Sequence, residues 1–170
     1  MNSEDDMLWE DLLALSREVG DMLREQGLTL ATAESCTGGL VGHIVTEIPG
    51  SSDYFVGGVI SYSNDVKHRI LGVPQEILDT VGAVSPECAR AMAHGARNLL
   101  RADIAVSITG IAGPSGGTPE KPVGLTYFHI VGPDAEWGEH HVWQGNRHEN
   151  KLASARNALE MVRAYLSRHG

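Results

Sequence analysis

The amino-acid sequence predicts an α/β fold, a three-layer α/β/α sandwich built around a mixed sheet. Segments in which apolar residues recur at intervals of three and four alternate with short segments rich in β-branched residues. That alternation is typical of proteins that pack helices on both faces of a sheet. In addition, two strand-like segments, 123–131 and 136–144, are separated by the turn residues Gly132, Pro133 and Asp134. This arrangement indicates an antiparallel hairpin in the sheet.

The first part of the chain predicts a helix, a strand and a second helix. Residues 8–26 carry apolar side chains at helical spacing and are followed by a glycine that can end the helix. Residues 28–33 are small, apolar and rich in threonine, which is typical of a buried strand. The second helix begins at Thr37 or Gly38 and is closed by a Pro-Gly pair.

The middle of the chain predicts a strand and three helices. Residues 54–62 form the strand, and the adjacent glycines at 57–58 indicate a β-bulge within it. Two short helices are expected over 65–71 and 74–80. The helix over 85–100 opens with Ser-Pro-Glu, which supplies a capping hydroxyl, a proline at the first helical position and an acid in the first turn.

The last part of the chain completes the sheet. Residues 103–109 predict a strand, and residues 110–122 form a loop rich in glycine, proline, serine and threonine. The hairpin follows, and residues 147–166 predict the final helix. Because the chain has 170 residues and no stretch that resembles a linker, we expect a single domain over 1–170, with residues 1–6 flexible.

The acidic composition argues against a nucleic-acid partner. The chain has 13 Lys and Arg against 22 Asp and Glu, a formal net charge of -9, whereas nonspecific binding to a polyanion depends on basic side chains. Binding of a small anionic ligand remains compatible with this composition, because a few local donors can outweigh a net charge that is distant and screened by salt. No apolar run approaches the roughly 20 residues of a membrane span. The acidic start does not resemble a secretory signal, so we expect a cytoplasmic protein.

The histidines and cysteines predict no metal site. His140 and His141 are adjacent on a predicted strand, so they point to opposite faces and cannot chelate one ion together. We give the same expectation for His129 and His148. Two cysteines without a CxxC pair are too few for a disulfide scaffold or a structural zinc site, and we expect both to be reduced.

The segment Ala33–Gly39, AESCTGG, is the most informative in the chain, because a strand ends and a helix begins within it. Ser35 is therefore expected at the carboxyl edge of the sheet, a place that favours an oxyanion. The N–H groups that would hold this oxyanion belong to Cys36, Thr37, Gly38 and Gly39. The alternative is that Ser35 and Thr37 only cap the helix. The thiol of Cys36 is expected to be a small core side chain.

A nucleophilic serine needs a base, and Lys67 is the best candidate. It follows the second predicted strand within Tyr62-Ser63-Asn64-Asp65-Val66-Lys67. If the first two strands are neighbours in the sheet, their ends bring Lys67 to Ser35. Such a base must have a pKa well below the ordinary value of about 10.4, which burial can cause. The alternative is a solvated surface charge.

Two further features suggest binding of an anion. The glycines of the loop 109–118 allow backbone N–H groups to approach a phosphate or carbonyl oxygen, although the P-loop pattern is absent. Arg147 and Lys151 lie one turn apart at the start of the last helix, where the helix dipole disfavours cations. Their position suggests a nearby anion. The alternative for Arg147 is a surface ion pair with Glu149 or Asp103.

Together these segments resemble the CinA C-terminal domain family over nearly everything from the first helix onward. The motifs that carry the resemblance are AESCTGG at 33–39, Pro49-Gly50-Ser51-Ser52, Tyr62-Ser63-Asn64 with Lys67, Gly82-Ala83-Val84-Ser85, TGIAGPSGG at 109–117, and Lys121-Pro122-Val123-Gly124. The family's Gly-Asp-Arg segment is present as Gly145-Asn146-Arg147, and Lys151 stands where the family has an arginine.

The resemblance implies a mixed, mainly five-stranded sheet, a homodimer or higher homo-oligomer, and no cofactor. It also implies hydrolysis of nicotinamide mononucleotide (NMN) to nicotinate mononucleotide and ammonia in pyridine nucleotide recycling. The family roles fall on Ser35 as nucleophile and Lys67 as base. Arg147 and Lys151 are expected to bind the phosphate. The remaining substrate-binding candidates are Tyr62, Thr109, Gly110, Gly113, Gly116 and Gly117.

Three other functions stay open at this point. The domain could bind a nucleotide without turnover, which predicts stabilisation by ligand and no ammonia. It could be an interaction domain linked to competence or DNA damage, which predicts a partner and indifference to nucleotides. It could also hydrolyse a different small amide. The presence of both Ser35 and Lys67 favours the enzyme.

Overall fold

A computed structural model gives the structure of the protein for residues 3–168, with side chains described from residue 8 onward. It contains one mixed sheet whose strands are β1 (Leu30–Glu34), β2 (Phe55–Ile60), β3 (Ile104–Gly110), β4 (Leu125–Val131) and β5 (Glu136–Val142). The helices are α1 (Ser3–Gln26), α2 (Leu40–Thr46), α3 (Asn64–Arg69), α4 (Gln75–Asp79), α5 (Pro86–Leu100) and α6 (Arg147–Ser167).

The sheet has five strands in the order β2-β1-β3-β4-β5. Strand β1 pairs in parallel with both β2 and β3, so the carboxyl ends of these three strands lie at one edge. Strands β3, β4 and β5 pair antiparallel, and the β4–β5 pair is the predicted hairpin. The predicted fold class is confirmed, including the neighbouring position of the first two strands.

Helices cover both faces of the sheet. On one face α1, α2 and α6 pack against Val106, Ile108 and their neighbours in the larger core cluster. On the other face α5 packs against Ala31, Ala33 and Ala105 in a second cluster. Small alanines on that face allow α5 to lie close to the sheet. The alternation of the two clusters along β3 follows from the two-residue period of a strand.

Most element boundaries agree with the sequence prediction, and the differences are local. Helix α1 begins at Ser3, five residues before the predicted start. The expected flexibility of residues 1–6 falls partly outside the described residues, because it includes 1 and 2. The predicted β-bulge is present, but at Val56, which the register of β1 and β2 skips. Among residues 3–168 no helix combines the length and apolarity needed to cross a membrane.

Candidate active site

The end of strand β1 brings Ser35 to the carboxyl edge of the sheet. Glu34 is the last residue of β1 and pairs with Ile60, the last residue of β2. The N–H of Ser61 donates to the carbonyl of Glu34 at 2.7 Å, so the chain stays in register for one residue beyond both strands. Ser63 then caps helix α3 by accepting a hydrogen bond from the N–H of Val66. This short helix turns Lys67 back toward β1.

The Nζ atom of Lys67 lies 3.0 Å from Oγ of Ser35. It also lies 2.7 Å from the carbonyl oxygen of Ser61 and 3.1 Å from that of Tyr62. A neutral amine has two N–H groups and one lone pair, so it can donate to both carbonyls while its lone pair accepts the hydroxyl proton of Ser35. The predicted pairing of Ser35 with Lys67 is therefore present, in a geometry suited to proton transfer.

The surroundings of Lys67 favour the neutral amine. Only 1% of the residue is exposed, and this burial lowers the pKa of Lys67 below its ordinary value, because a charged ammonium loses its hydration. The opposing influences come from the thiols of Cys88 and Cys36. Burial raises the pKa of each thiol to about 11, so both are uncharged at neutral pH. They therefore supply no negative charge that would hold the proton on Lys67.

Glu34, inside the AESCTGG motif, has a structural role that the sequence did not reveal. Its carboxylate is buried and accepts hydrogen bonds from the hydroxyl of Thr37 at 2.6 Å and from the N–H groups of Val41 and Gly42, each at 3.0 Å. A buried carboxylate is tolerated when several donors satisfy it. Glu34 thus ties the turn after Ser35 to the first turn of α2.

The turn after Ser35 leaves backbone donors near the nucleophile. Within it, the N–H of Gly38 donates to the carbonyl of Ser35 at 3.0 Å. In the described part of the chain, no backbone carbonyl accepts from the N–H of Cys36 or Thr37. Gly39 has a φ of 101°, and a Cβ there would come within 2.9 Å of the Ile60 side chain. The turn therefore requires glycine at this position.

A cavity of about 280 Å³ opens above the Ser35–Lys67 pair. The predicted site residues that line it are Ser35, Cys36, Tyr62, Lys67, Thr109, Gly110, Gly113, Gly116 and Arg147. It also contains residues of the family motifs to which the sequence assigned no role, namely Asn64, Ala83, Val84, Ile111, Ala112 and Ser115. The cavity thus joins the ends of β1 and β2, the loop after β3 and the start of α6.

Five predicted residues lie outside the lining of this cavity: Thr37, Gly38, Gly39, Gly117 and Lys151. The hydroxyl of Thr37 is engaged by Glu34. Gly117 packs beside the backbone of Val123, where a Cβ would lie 2.6 Å from nitrogen. Nζ of Lys151 lies 3.9 Å from the position that a Cβ at Gly38 would take, so its charge stands beside the turn after Ser35.

Arg147 is held at the mouth of the cavity by two contacts. Its Nη1 donates to the carbonyl of Gly113 at 2.7 Å, and its Nη2 donates to the hydroxyl of Tyr62 at 3.1 Å. The alternative ion pairs are not formed within the described residues. Glu149 instead completes a capping box with Asn146 at the start of α6, and the carboxylate of Asp103 accepts from Thr29.

Thr109 has a different role from Tyr62. Its hydroxyl donates to the carbonyl of Ala83 at 2.9 Å, and the residue is 1% exposed. It therefore fixes the 83–84 segment of the cavity wall. The side chain of Tyr62 is exposed and reaches across the cavity to α6. Of these two candidates, Tyr62 is placed to meet a substrate.

Comparison with known proteins identifies relatives that match most of the chain. A profile of the family described as the CinA C-terminal domain matches residues 12–166. A CinA-like protein from Geotalea uraniireducens is 48% identical over 157 residues, which are 92% of this chain and 37% of that protein. The chain therefore spans little more than a third of the length of this curated relative.

Solved structures match over almost their full length. A competence/damage inducible protein, CihA, from Agrobacterium tumefaciens is 45% identical, with a TM-score of 0.87 over 92% of this chain and 96% of that chain. A CinA superfamily protein from Klebsiella pneumoniae is 29% identical, with a TM-score of 0.89 over 92% of this chain and 98% of that chain. These structures share the mixed α/β fold described above.

Proposed function

The chain belongs to the CinA C-terminal domain family, and from that premise we propose that it is a nicotinamide-nucleotide amidase. The reaction converts NMN and water to nicotinate mononucleotide and ammonia, as part of pyridine nucleotide recycling in the cytoplasm. The proposal includes a homodimer or higher homo-oligomer and needs no cofactor. The observation that carries it is the buried contact of 3.0 Å between Nζ of Lys67 and Oγ of Ser35.

The first half of the reaction is acylation of Ser35. As Oγ attacks the carboxamide carbon, the lone pair of Lys67 takes the hydroxyl proton, and the carbonyl oxygen becomes an oxyanion. The N–H groups of Cys36 and Thr37, which donate to no backbone carbonyl within residues 3–168, are the nearest backbone donors in the chain sequence for this charge. When the carbon–nitrogen bond breaks, the protonated amine of Lys67 returns its proton to the departing nitrogen, which leaves as ammonia.

The second half of the reaction is hydrolysis of the acyl-enzyme. Lys67 is again neutral and takes a proton from a water molecule that attacks the ester carbon. Ser35 then leaves with that proton, and the product is the carboxylic acid. The carbonyls of Ser61 and Tyr62 keep the amine in place through both halves, because they accept its N–H groups in each protonation state.

The mouth of the cavity supplies positive charge for the ribose phosphate. Arg147 is anchored at Gly113 and Tyr62, so its guanidinium is preorganised beside the loop 113–116. A guanidinium can give two parallel hydrogen bonds to a phosphate dianion. Lys151 adds a second charge nearby. In a chain of net charge -9, these cations give the cavity a local preference for an anion.

The experiment that tests this function follows ammonia and the acid product when the full chain is incubated with NMN. We expect turnover by the wild-type chain and a loss of at least about 100-fold in Ser35→Ala, since the nucleophile is removed. Ser167→Ala, an exposed serine at the end of α6, is the matched control and should keep full activity. Ammonia release that persists in Ser35→Ala would overturn the proposal.

A second candidate is a nucleotide-binding or interaction domain without turnover. It is favoured by the names of the solved relatives, which refer to competence and damage rather than to an amidase. The same samples separate the two functions. A binding domain predicts that NMN raises the melting temperature of the chain while no ammonia is formed, and an interaction domain predicts neither effect. A panel of small amides then identifies the substrate if NMN is not hydrolysed.

A further inference from the structure

Three side chains outside the active site converge at the other end of the molecule. His94 lies on α5, His129 lies on β4, and Glu136 is the first residue of β5. One potential ligand atom from each lies within 4.8 Å of the other two. The sequence predicts no metal site at its histidines, because a cluster that joins a helix to the hairpin leaves no pattern in the local sequence.

The fold explains why these residues meet. His129 pairs with Gly138 across the hairpin, and Val131 pairs with Glu136. Val131 belongs to the core cluster beneath α5, so the alternate residue His129 faces the same helix. Gly138 leaves space for the imidazole, since a Cβ there would lie 3.3 Å from Nδ1 of His129. The rings of His94 and His129 have centroids 6.2 Å apart.

Both imidazoles address one carboxylate oxygen. Nε2 of His94 lies 2.6 Å from Oε2 of Glu136, and Nε2 of His129 lies 2.8 Å from the same atom. The other oxygen, Oε1, accepts a hydrogen bond from Nη2 of Arg90 at 2.9 Å. Arg90 therefore orients the carboxylate through Oε1, while Oε2 contacts the two histidines. An outer partner of this kind is common around carboxylates that bind metals.

We propose that His94, His129 and Glu136 form a binding site for Zn²⁺. Two imidazole nitrogens and one carboxylate oxygen are a donor set that zinc accepts, with bonds of about 2.0–2.2 Å. Two ligands of a tetrahedral ion with such bonds stand about 3.3 Å apart. To reach this spacing, Oε2 of Glu136 must move away from the Nε2 atoms of the two histidines by less than about 1 Å. Glu136 begins a strand and is one-third exposed, so its side chain has room to make that adjustment.

The surroundings leave a coordination position open to solvent. A cleft of about 430 Å³ lies beside the cluster and is lined in part by His94, Arg97 and the turn 131–136. The three protein ligands would share the ion with at least one water molecule from this cleft. The cluster lies at the other end of the sheet from Ser35. Val131, which pairs with Glu136, also pairs with Ala105 near the start of β3. Ser35 follows the opposite, carboxyl end of the parallel strands.

The competing explanation is an ion-pair network without a metal. Arg90 brings a positive charge that opposes a cation, and it helps to lower the pKa of Glu136 to about 2. Ion binding and the network make opposite predictions for the two histidines. In the network they only donate hydrogen bonds to Glu136, whereas in a metal site both Nε2 atoms must turn a lone pair to the ion.

The test is calorimetric titration of Zn²⁺ into the full chain, free of any purification tag and stripped with a chelator. We expect one ion per chain. His94→Ala and Glu136→Gln should weaken binding by more than the roughly 10- to 100-fold that loss of an outer-shell partner costs. His140→Ala is the matched control, because His140 is exposed on the same hairpin, and it should bind as the wild type does.

A second measurement reports the coordination sphere. Co²⁺ bound in the same site should give the visible absorption of a four- or five-coordinate ion, and this absorption should be lost in His94→Ala. Circular dichroism of each variant shows whether it is folded. The proposal is overturned if folded wild-type chain binds no stoichiometric Zn²⁺. It is equally overturned if binding survives in His94→Ala and Glu136→Gln, or is lost to the same extent in His140→Ala.

Discussion

The floor and the mouth of the cavity are built in different ways. On the floor, Ser35 and Lys67 are 7% and 1% exposed, and main-chain groups next to β2 hold the amine in place. At the mouth, Tyr62 is 61% exposed, and Arg147 reaches it through a long side chain from α6. The floor therefore has a fixed geometry and little exposure to solvent, while the mouth depends on side chains that bridge distant segments.

This difference separates chemistry from recognition. Burial on the floor lowers the pKa of Lys67 and makes the amine available as a base. The cations at the mouth instead supply positive charge that can attract an anion. A change on the floor should therefore reduce kcat, whereas a change at the mouth should raise KM.

The largest effect is expected for Lys67→Met, which replaces the base by an uncharged side chain of similar length. The kcat for ammonia release should fall by at least about 100-fold, because general base catalysis contributes about 10²- to 10⁴-fold. Steady-state kinetics with NMN measures this, with circular dichroism as the check on folding. Retention of more than half of the wild-type kcat would contradict the assigned role.

Arg147→Ala should have the next largest effect, at the mouth. Loss of a charged hydrogen-bond donor costs about 1.5–3 kcal/mol, so KM for NMN should rise by about 10- to 100-fold while kcat changes little. Arg156→Ala is the matched control, because Arg156 lies on the same helix and pairs with Glu160 at the surface. A fall in kcat with unchanged KM would place Arg147 in the chemistry rather than in recognition.

Tyr62→Phe should have the smallest effect. It is informative because Tyr62 contributes its hydroxyl to the mouth and its backbone carbonyl to the floor. The substitution removes the hydroxyl that Arg147 contacts but leaves the backbone carbonyl that accepts from Lys67. We expect KM to rise only a few-fold, as for loss of one exposed neutral hydrogen bond, and kcat to stay within a factor of about two. The double variant with Arg147→Ala shows whether the two effects are coupled, since both single changes remove the same contact.

The sequence predicts the floor better than the mouth. Ser35 and Lys67 follow adjacent strands, and parallel strands end at the same edge of a sheet, so local patterns suffice to bring them together. The capping of α5 by Ser85 follows from an equally local rule. The contacts of Arg147 span 34 and 85 residues in the chain. They depend on how α6 docks, which no local pattern specifies.

Two other features were beyond prediction for the same reason. No local pattern around Glu34 predicts its burial, which becomes evident only when α2 folds over it. The cluster of His94, His129 and Glu136 exists only because α5 lies across the hairpin. In both cases a polar side chain is defined by its tertiary partners rather than by its neighbours in sequence.

The most direct test of the account is an NMR titration of the lysine side chains. The chain has only three lysines, Lys67, Lys121 and Lys151, so isotope-labelled lysine resolves each Nζ and substitution assigns it. We predict that Lys67 titrates below the ordinary lysine pKa of about 10.4, because burial favours its neutral form. The rate of ammonia release should rise with pH as Lys67 loses its proton. If Lys67 instead stays protonated up to about pH 10.4, the ordinary lysine pKa, the proposed base does not exist.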